Sequence, residues 1–202
     1  MKLYSQAWFN YYYKNRNWQS YSGIIKLLEA YIVEPILDIG CGLGFTIEAF
    51  TRAGYRAIGI DNSPAALKQA KSRNRSLKFI RADLSKTWPV KTKSIGTLIC
   101  SQTIEHLPEN KQNFLIKEAY RVLKPKGILW IDTPSWWNKE ERLEASHTHL
   151  FTPKELIKLL KANRFQIIQS LCASREWAKI LYFYTKWDIL SQTASFICQK
   201  NE

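Results

Sequence analysis

The stretch Ile36-Leu37-Asp38-Ile39-Gly40-Cys41-Gly42-Leu43-Gly44 decides the fold. An apolar run carries Asp38 and opens at once into three glycines at alternate positions, and a helical pattern starts at Phe45. Strand, glycine turn and helix in this order bring backbone close to a nucleotide-like ligand in α/β proteins. Glycine suits the turn because a side chain would block the ligand or could not take positive φ. The next apolar run, 56–60, closes on Asp61. A carboxylate at that point can accept both hydroxyls of a ribose. Two acidic strand ends around one glycine loop imply an adenosine-containing cofactor.

Outward from this stretch, strands and helices alternate. That pattern predicts a mostly parallel sheet covered on both faces. Residues 18–32 read as an amphipathic helix with Ile24, Ile25, Leu27, Leu28 and Tyr31 on one side. Strand one is placed at 35–39, a helix at 44–53 with Gly54 as its C-cap, and strand two at 56–60. Ser63-Pro64 starts the next helix, with serine as cap and proline at its first position. Strand three runs from Leu77 to Arg81, and strand four covers 95–100. A helix over 110–123 stops before Pro125, and Gly127 turns the chain into strand five at 128–132. Thr152-Pro153 begins another capped helix, and 165–171 and 194–199 read as the final strands. The aromatic-rich stretch 176–190 between them reads as helical.

The 202 residues favour one domain, 1–202, with 46% hydrophobic and 23% charged residues as in soluble globular chains. Segment 1–33 reads as a helical lid, and 134–152 and 173–192 as the acceptor-side loop and helix. No apolar run is long enough to span a bilayer, and Met1-Lys2-Leu3-Tyr4-Ser5-Gln6 lacks a signal-peptide core, so a cytoplasmic location is expected. Cys41, Cys100, Cys172 and Cys198 form no Cys-x-x-Cys pair, which argues against structural zinc. The net charge of +13 would draw anionic partners, but the basic residues are spread along the chain with no block like a nucleic-acid arm.

These residues resemble the class I S-adenosylmethionine-dependent methyltransferases, of the small-molecule, quinone and glycan type. Leu37 to Gly44 matches that family's first motif, Asp61 its ribose-binding acid, and Asp83 in Arg81-Ala82-Asp83-Leu84 the residue at the adenine amine. Ser101 to Leu107 resembles its loop after strand four. Leu123-Lys124-Pro125-Lys126-Gly127 resembles its Leu-Lys-Pro-Gly-Gly turn, with Lys126 in place of the first glycine. The resemblance implies a Rossmann-like seven-stranded sheet with helices on both faces and the last strand, 194–199, antiparallel beside strand five. It implies S-adenosyl-L-methionine as cofactor and S-adenosyl-L-homocysteine as product. Asp38, Gly40, Cys41, Gly42, Gly44, Asp61, Asn62, Asp83, Leu84, Ser101 and Gln102 are the implied cofactor residues. The rival, a dinucleotide-binding enzyme, needs its third glycine where Phe45 stands.

Methyl transfer from a sulfonium is an in-line displacement in which the protein mainly positions and desolvates. A base helps when the acceptor is a hydroxyl. Glu105, His106 and His149 are the candidate catalytic groups, and Trp136, Trp137 and His147 the candidate acceptor contacts. Some relatives hold a divalent metal with Glu-x-x-Glu-His after strand four. Here the first glutamate is Gln102, and no metal is expected. Trp8, Phe9, Tyr11, Tyr12, Tyr13 and Trp18 cluster around Lys14 and Arg16; Tyr13, Arg16 or Trp18 could reach the cofactor. The stretch 176–190 suits a lid, a dimer contact, a helix touching a membrane surface or a buried helix. The expected acceptor is a small molecule, lipid or glycan precursor, methylated on O or N. An RNA methyltransferase and a non-catalytic cofactor-binding subunit are the alternatives, and the chain shows no focused basic stripe for RNA.

Overall fold

Near-continuous apolar runs are what a strand buried on both faces requires. The four residues of β1, Ile36–Ile39, are all buried, as are the first six of β4, Ile95–Ser101. The computed structural model describes residues 17–172 and 193–202. β2 (Ala57–Asp61), β3 (Lys78–Arg81), β5 (Leu123–Pro134), β6 (Phe165–Ser170) and β7 (Thr193–Lys200) complete a seven-stranded sheet in the order β3-β2-β1-β4-β5-β7-β6. β1 pairs parallel to β2 and β4, and β7 runs antiparallel to both β5 and β6. This is the expected Rossmann-like sheet, with its final strand inserted beside β5.

Alternation along each strand sends neighbours to opposite faces. Leu37 and Ile39 of β1, with Leu98 and Cys100 of β4, pack under α4 (Glu109–Val122) and α5 (Pro153–Ala162) through Leu115, Ile116, Leu156 and Leu160. Ile36 and Ile99 face the other way, onto α1 (Ser22–Leu28), α2 (Phe45–Arg52) and α3 (Pro64–Arg73) through Leu28, Ile47, Phe50 and Leu67. Each such aliphatic side chain contributes about 1.5–3 kcal/mol by leaving water. All four cysteines are free, and Cys41, Cys100 and Cys198 are buried.

The caps behave as their sequence chemistry requires. Ser63 accepts the Ala66 N–H at 3.2 Å with Pro64 at the first helical position. Thr152 and Glu155 form a reciprocal capping box at the start of α5.

Two expectations need correction. The helix expected over 18–32 is a 3₁₀ turn at Trp18–Tyr21 followed by the short α1. The Leu28 carbonyl accepts the N–H of both Tyr31 and Ile32, which ends the helix, and Leu27 is exposed rather than packed. Strand five, expected at 128–132, is the longer β5 and includes the Lys124-Pro125-Lys126-Gly127 segment, with a register shift opposite Ile95 and Thr97. Lys126 takes φ 60°, the left-handed conformation normally given to glycine. Gly127 cannot be exchanged with it freely: a Cβ there would lie 2.9 Å from the Lys124 carbonyl.

Trp8 to Arg16 and the stretch 176–190 lie outside the described residues. Among the described residues no helix is long and apolar enough to cross a membrane.

Candidate active site

The carboxyl ends of β1, β2, β3 and β4 open into one cleft of about 540 Å³. Open parallel sheets bind ligands at this edge. The glycine loop forms its floor. Gly40, Gly42 and Gly44 all take positive φ, and the N–H groups of Gly40 and Cys41 both donate to the Ile60 carbonyl. Two of these glycines are also demanded by neighbours. A Cβ on Gly40 would overlap the Thr103 side chain, and one on Gly44 would sit 2.7 Å from the Phe79 ring. Arg73 of α3 clamps the loop from outside. It donates to the Leu43 carbonyl at 2.6 Å and to Glu48 at 3.2 Å, with its guanidinium 4.0 Å above Phe45.

Three acids stand at three strand ends. Asp61 accepts the Gly42 N–H and the Ser63 N–H, each at 2.8 Å, one on each oxygen. It thereby ties the loop after β1 to the end of β2 and keeps lone pairs for a ligand. Burial raises its carboxyl above the ordinary range, against the pull of these N–H groups. Asp38 is 4% exposed; burial first, then the neighbouring Asp61 charge, push its carboxyl up to about 8, with a Thr46 hydrogen bond opposing. Asp83 is more open. The Ser85 hydroxyl and N–H, at 2.7 and 2.9 Å, hold it below the usual carboxylate range.

Cys41, Asn62, Leu84, Ser101 and Gln102 also line the cleft, whereas Gly44 is packed behind it against Phe79. Gln102 sits at φ 49° and donates its side-chain N–H to Asp132 at 3.0 Å. Tyr21 lines the cleft as well, stacked on Phe45 with centroids 5.8 Å apart. Trp18, the described member of the N-terminal aromatic group, instead lies under the Arg52 guanidinium at 5.0 Å.

At the far wall the 3₁₀ turn Ile104–His106 meets the loop after β5. Glu105 is fully buried, accepts the Thr133 hydroxyl at 2.9 Å, and is raised to about 8 chiefly by burial. His106 and His147 both line the cleft, with ring centroids 4.9 Å apart. Burial lowers the His106 imidazole from its ordinary value, which favours the neutral ring. The structure does not bring every sequence-chosen group here. His149 lies edge-on to Phe151 at 4.7 Å and is not on the cleft wall. Trp136 and Trp137 pack against each other at 5.1 Å, with Trp136 largely exposed beneath Arg142, and neither lines the cleft. Strand-end position places a residue near the cleft, but the path of the loop after β5 turns these three side chains away from it.

Residues not foreseen are Thr103, Ser146, Glu140, Glu141 and Glu144, all on the wall. Thr103 had a signal, because it lies in the loop after strand four. Glu140, Glu141, Glu144 and Ser146 fall in the segment 134–152 expected on the acceptor side, but no pattern within it singles out these side chains.

Residues 37–131 match the family model described as a methyltransferase domain. Over this stretch, just under half of its length, the chain is similar to S-adenosylmethionine-dependent methyltransferases. A probable S-adenosylmethionine-dependent methyltransferase of Mycolicibacterium smegmatis is 26% identical over 140 residues, 67% of this chain and 53% of the relative. The ubiquinone biosynthesis O-methyltransferase of Rickettsia bellii is 33% identical over 102 residues, 48% of this chain and 41% of the relative. The chain thus spans about half the length of the curated relatives it matches. A solved SAM-dependent methyltransferase from Methanosarcina mazei superposes with a TM-score of 0.69 at 25% identity, covering 87% of this chain and 97% of that one.

The cofactor of those relatives is S-adenosylmethionine, and the wall of this cleft fits it. The cofactor carries a sulfonium, an ammonium and one carboxylate. The wall offers Asp38 and Asp61 with no lysine or arginine beside them among the described lining residues. Two crowded, buried acids without a cation suit a cationic ligand. The start of α2 behind the glycine loop suits its carboxylate. The bound group supplies the activated methyl and a good leaving group. Asp61 and Asp83 would hold its ribose and adenine ends, and Asp38 its ammonium.

Proposed function

We propose that this chain transfers a methyl group from S-adenosylmethionine to a small-molecule, lipid or glycan acceptor, on oxygen or nitrogen. One observation carries the reading. The described wall that holds the cofactor acids also presents two imidazoles and the carboxylates Glu140, Glu141 and Glu144, with no lysine or arginine among its described residues. In a chain of net charge +13 this is a local reversal of sign. A neutral or cationic acceptor suits such a wall, whereas a polyphosphate backbone would meet like charge. That favours a small acceptor over RNA. The neutral His106 can take a proton from a hydroxyl acceptor, which an in-line displacement on the methyl carbon requires by the time the new bond forms. An amine acceptor needs no such base.

The test is a panel of phenols, sugars, amines, lipids and a structured RNA, incubated with protein and methyl-labelled cofactor. Labelled product on a small hydroxyl or amine compound, with RNA unlabelled, is the expected result. Label on RNA alone refutes the acceptor reading. Absence of S-adenosylhomocysteine binding by calorimetry refutes the catalytic reading itself.

A further inference from the structure

The cleft sets a problem for one end of its ligand. Asp38 and Asp61 stand on the described wall with no lysine or arginine beside them. An ammonium and a sulfonium suit that wall, but a carboxylate on the same ligand meets like charge. Among the described residues, Arg73 is the cation hydrogen-bonded to the glycine loop, yet it does not line the cleft. It reaches Leu43 from the last position of α3, 30 residues along the chain.

The contacts of Arg73 converge on the start of α2. Its guanidinium donates to the Leu43 carbonyl at 2.6 Å and to Glu48 at 3.2 Å, and lies over the Phe45 ring at 4.0 Å. Phe45 opens α2 and Glu48 falls in its first turn. Gly44 stands at the N-cap and has no side chain to offer the first N–H groups of the helix. Those groups carry the positive end of the helix dipole, which suits a carboxylate. Glu48 works against that use, because it is buried and puts a negative charge in the same turn. Arg52 pairs one of its oxygens and Arg73 the other. Two guanidiniums against one carboxylate leave the first turn positive. The Arg73 side chain is 31% exposed and that of Arg52 52%, so Arg73 is the less screened of the two. Arg73 also holds the Leu43 oxygen, an acceptor that would repel a carboxylate if the loop turned it into the cleft.

We propose that Arg73 makes the cleft selective for an adenosyl donor whose amino-acid end keeps its carboxylate. The proposal rests on the methyl-donor reading and adds a positioning residue to it. Arg73 stands off the wall and acts through Glu48, Leu43 and Phe45, offsetting the acid in the first turn of α2 and fixing the loop that leads into it. The other two ends of the cofactor are anchored without it. Asp61 is held by the N–H groups of Gly42 and Ser63, and Asp83 by Ser85. Loss of Arg73 therefore falls on the carboxylate and spares the ribose and adenine.

The experiment is calorimetry with S-adenosylmethionine and with its decarboxylated form, which keeps the adenosine, the sulfonium and the ammonium. Wild type should bind the intact cofactor at least about 10-fold more tightly, the size of one charge-assisted contact. In Arg73→Gln, which keeps a donor for the Leu43 carbonyl but no charge, that preference should fall to about threefold or less. Arg73→Lys, which restores the charge, should return part of it. A role confined to packing lowers both affinities alike and leaves their ratio unchanged. Circular dichroism and retained binding of the decarboxylated form check that each variant is folded. An unchanged ratio in folded Arg73→Gln overturns the proposal, and so does equal affinity of the wild type for the two ligands, a comparison that needs no variant. Wild-type protein that binds neither ligand overturns the methyl-donor reading itself and the proposal with it.

Discussion

Replacing Asp61 by asparagine keeps the shape of the side chain and removes its charge. The Asp61 oxygens each accept one backbone N–H at 2.8 Å, from Gly42 and from Ser63. Asparagine has one carbonyl oxygen, so its amide N–H₂ must face one of these donors. Hydrogen bonds to a charged acceptor contribute about 1.5–3 kcal/mol. If the Gly42 bond is the one lost, the glycine loop loosens where the cofactor lies against it, and the ribose loses its ionic acceptor. One such bond predicts a fall in cofactor affinity of about 10- to 150-fold. Folding stability responds differently. Asp61 is itself raised by burial, so neutralising it relieves the cost of holding a charge away from water. The lost bond and the relieved charge oppose each other, and the unliganded protein should change by about 1 kcal/mol or less. The assay pairs calorimetry of S-adenosylhomocysteine with urea unfolding of the apo-protein. Affinity unchanged within error refutes the assignment of Asp61. A large loss of stability that accounts for the loss of binding refutes the opposition of terms.

Asp38 predicts a pH effect of definite sign. Its folded carboxyl holds a proton up to about 8, whereas the ordinary value is 3.8. The folded apo-protein therefore binds more protons than the unfolded chain, and its Asp38 contribution to stability falls as pH rises from about 4 to about 8. A cationic cofactor needs the ionised carboxylate, so binding releases a proton. Affinity should rise between pH 6 and 8 by up to about tenfold per unit, measured by calorimetry in buffers of different ionisation heat. A flat profile in wild type, or an unchanged slope in Asp38→Asn, contradicts this. Gly44→Ala puts a methyl 2.7 Å from Phe79 at φ 71° and should cost about 1–2 kcal/mol for the backbone alone, more with the clash, in urea unfolding. Phe79→Leu in the same chain should return part of it. Glu118→Ala removes the acceptor of the Trp88 N–H at 2.9 Å and the partner of Arg121 at 2.7 Å. It should lower stability by about 2–4 kcal/mol while leaving S-adenosylhomocysteine affinity unchanged, since neither residue lines the cleft.

The parallel core and the donor half of the cleft were legible because they are local. Leu37 to Gly44 is strand, turn and helix cap within eight residues, Asp61 ends β2, and Asp83 stands two residues beyond β3. Alternation of Leu37 and Ile39 against Ile36 already assigns two faces. The boundaries that failed depend on distant partners. β5 extends back to Leu123 because Ile95 pairs with it across the sheet, and α1 stops at Leu28 because a turn closes there.

The acceptor half was not legible for a different reason. All three histidines stand in segments that sequence places near the sheet edge, but a side chain's direction depends on the path of its loop. Carbonyls of Glu141 and Ser146 and the Thr148 contacts turn His147 toward His106, while His149 is left beside Phe151. Sequence alone determined the glycine loop and the acids at the ends of the first three strands, since backbone conformation and strand ends encode them within a few residues. Tertiary structure alone decided that Glu105, His106 and His147 meet and that the wall around them is acidic. His147 lies about 40 positions beyond Glu105 and His106, and only the closure of the loop after β5 over the turn after β4 brings it to them.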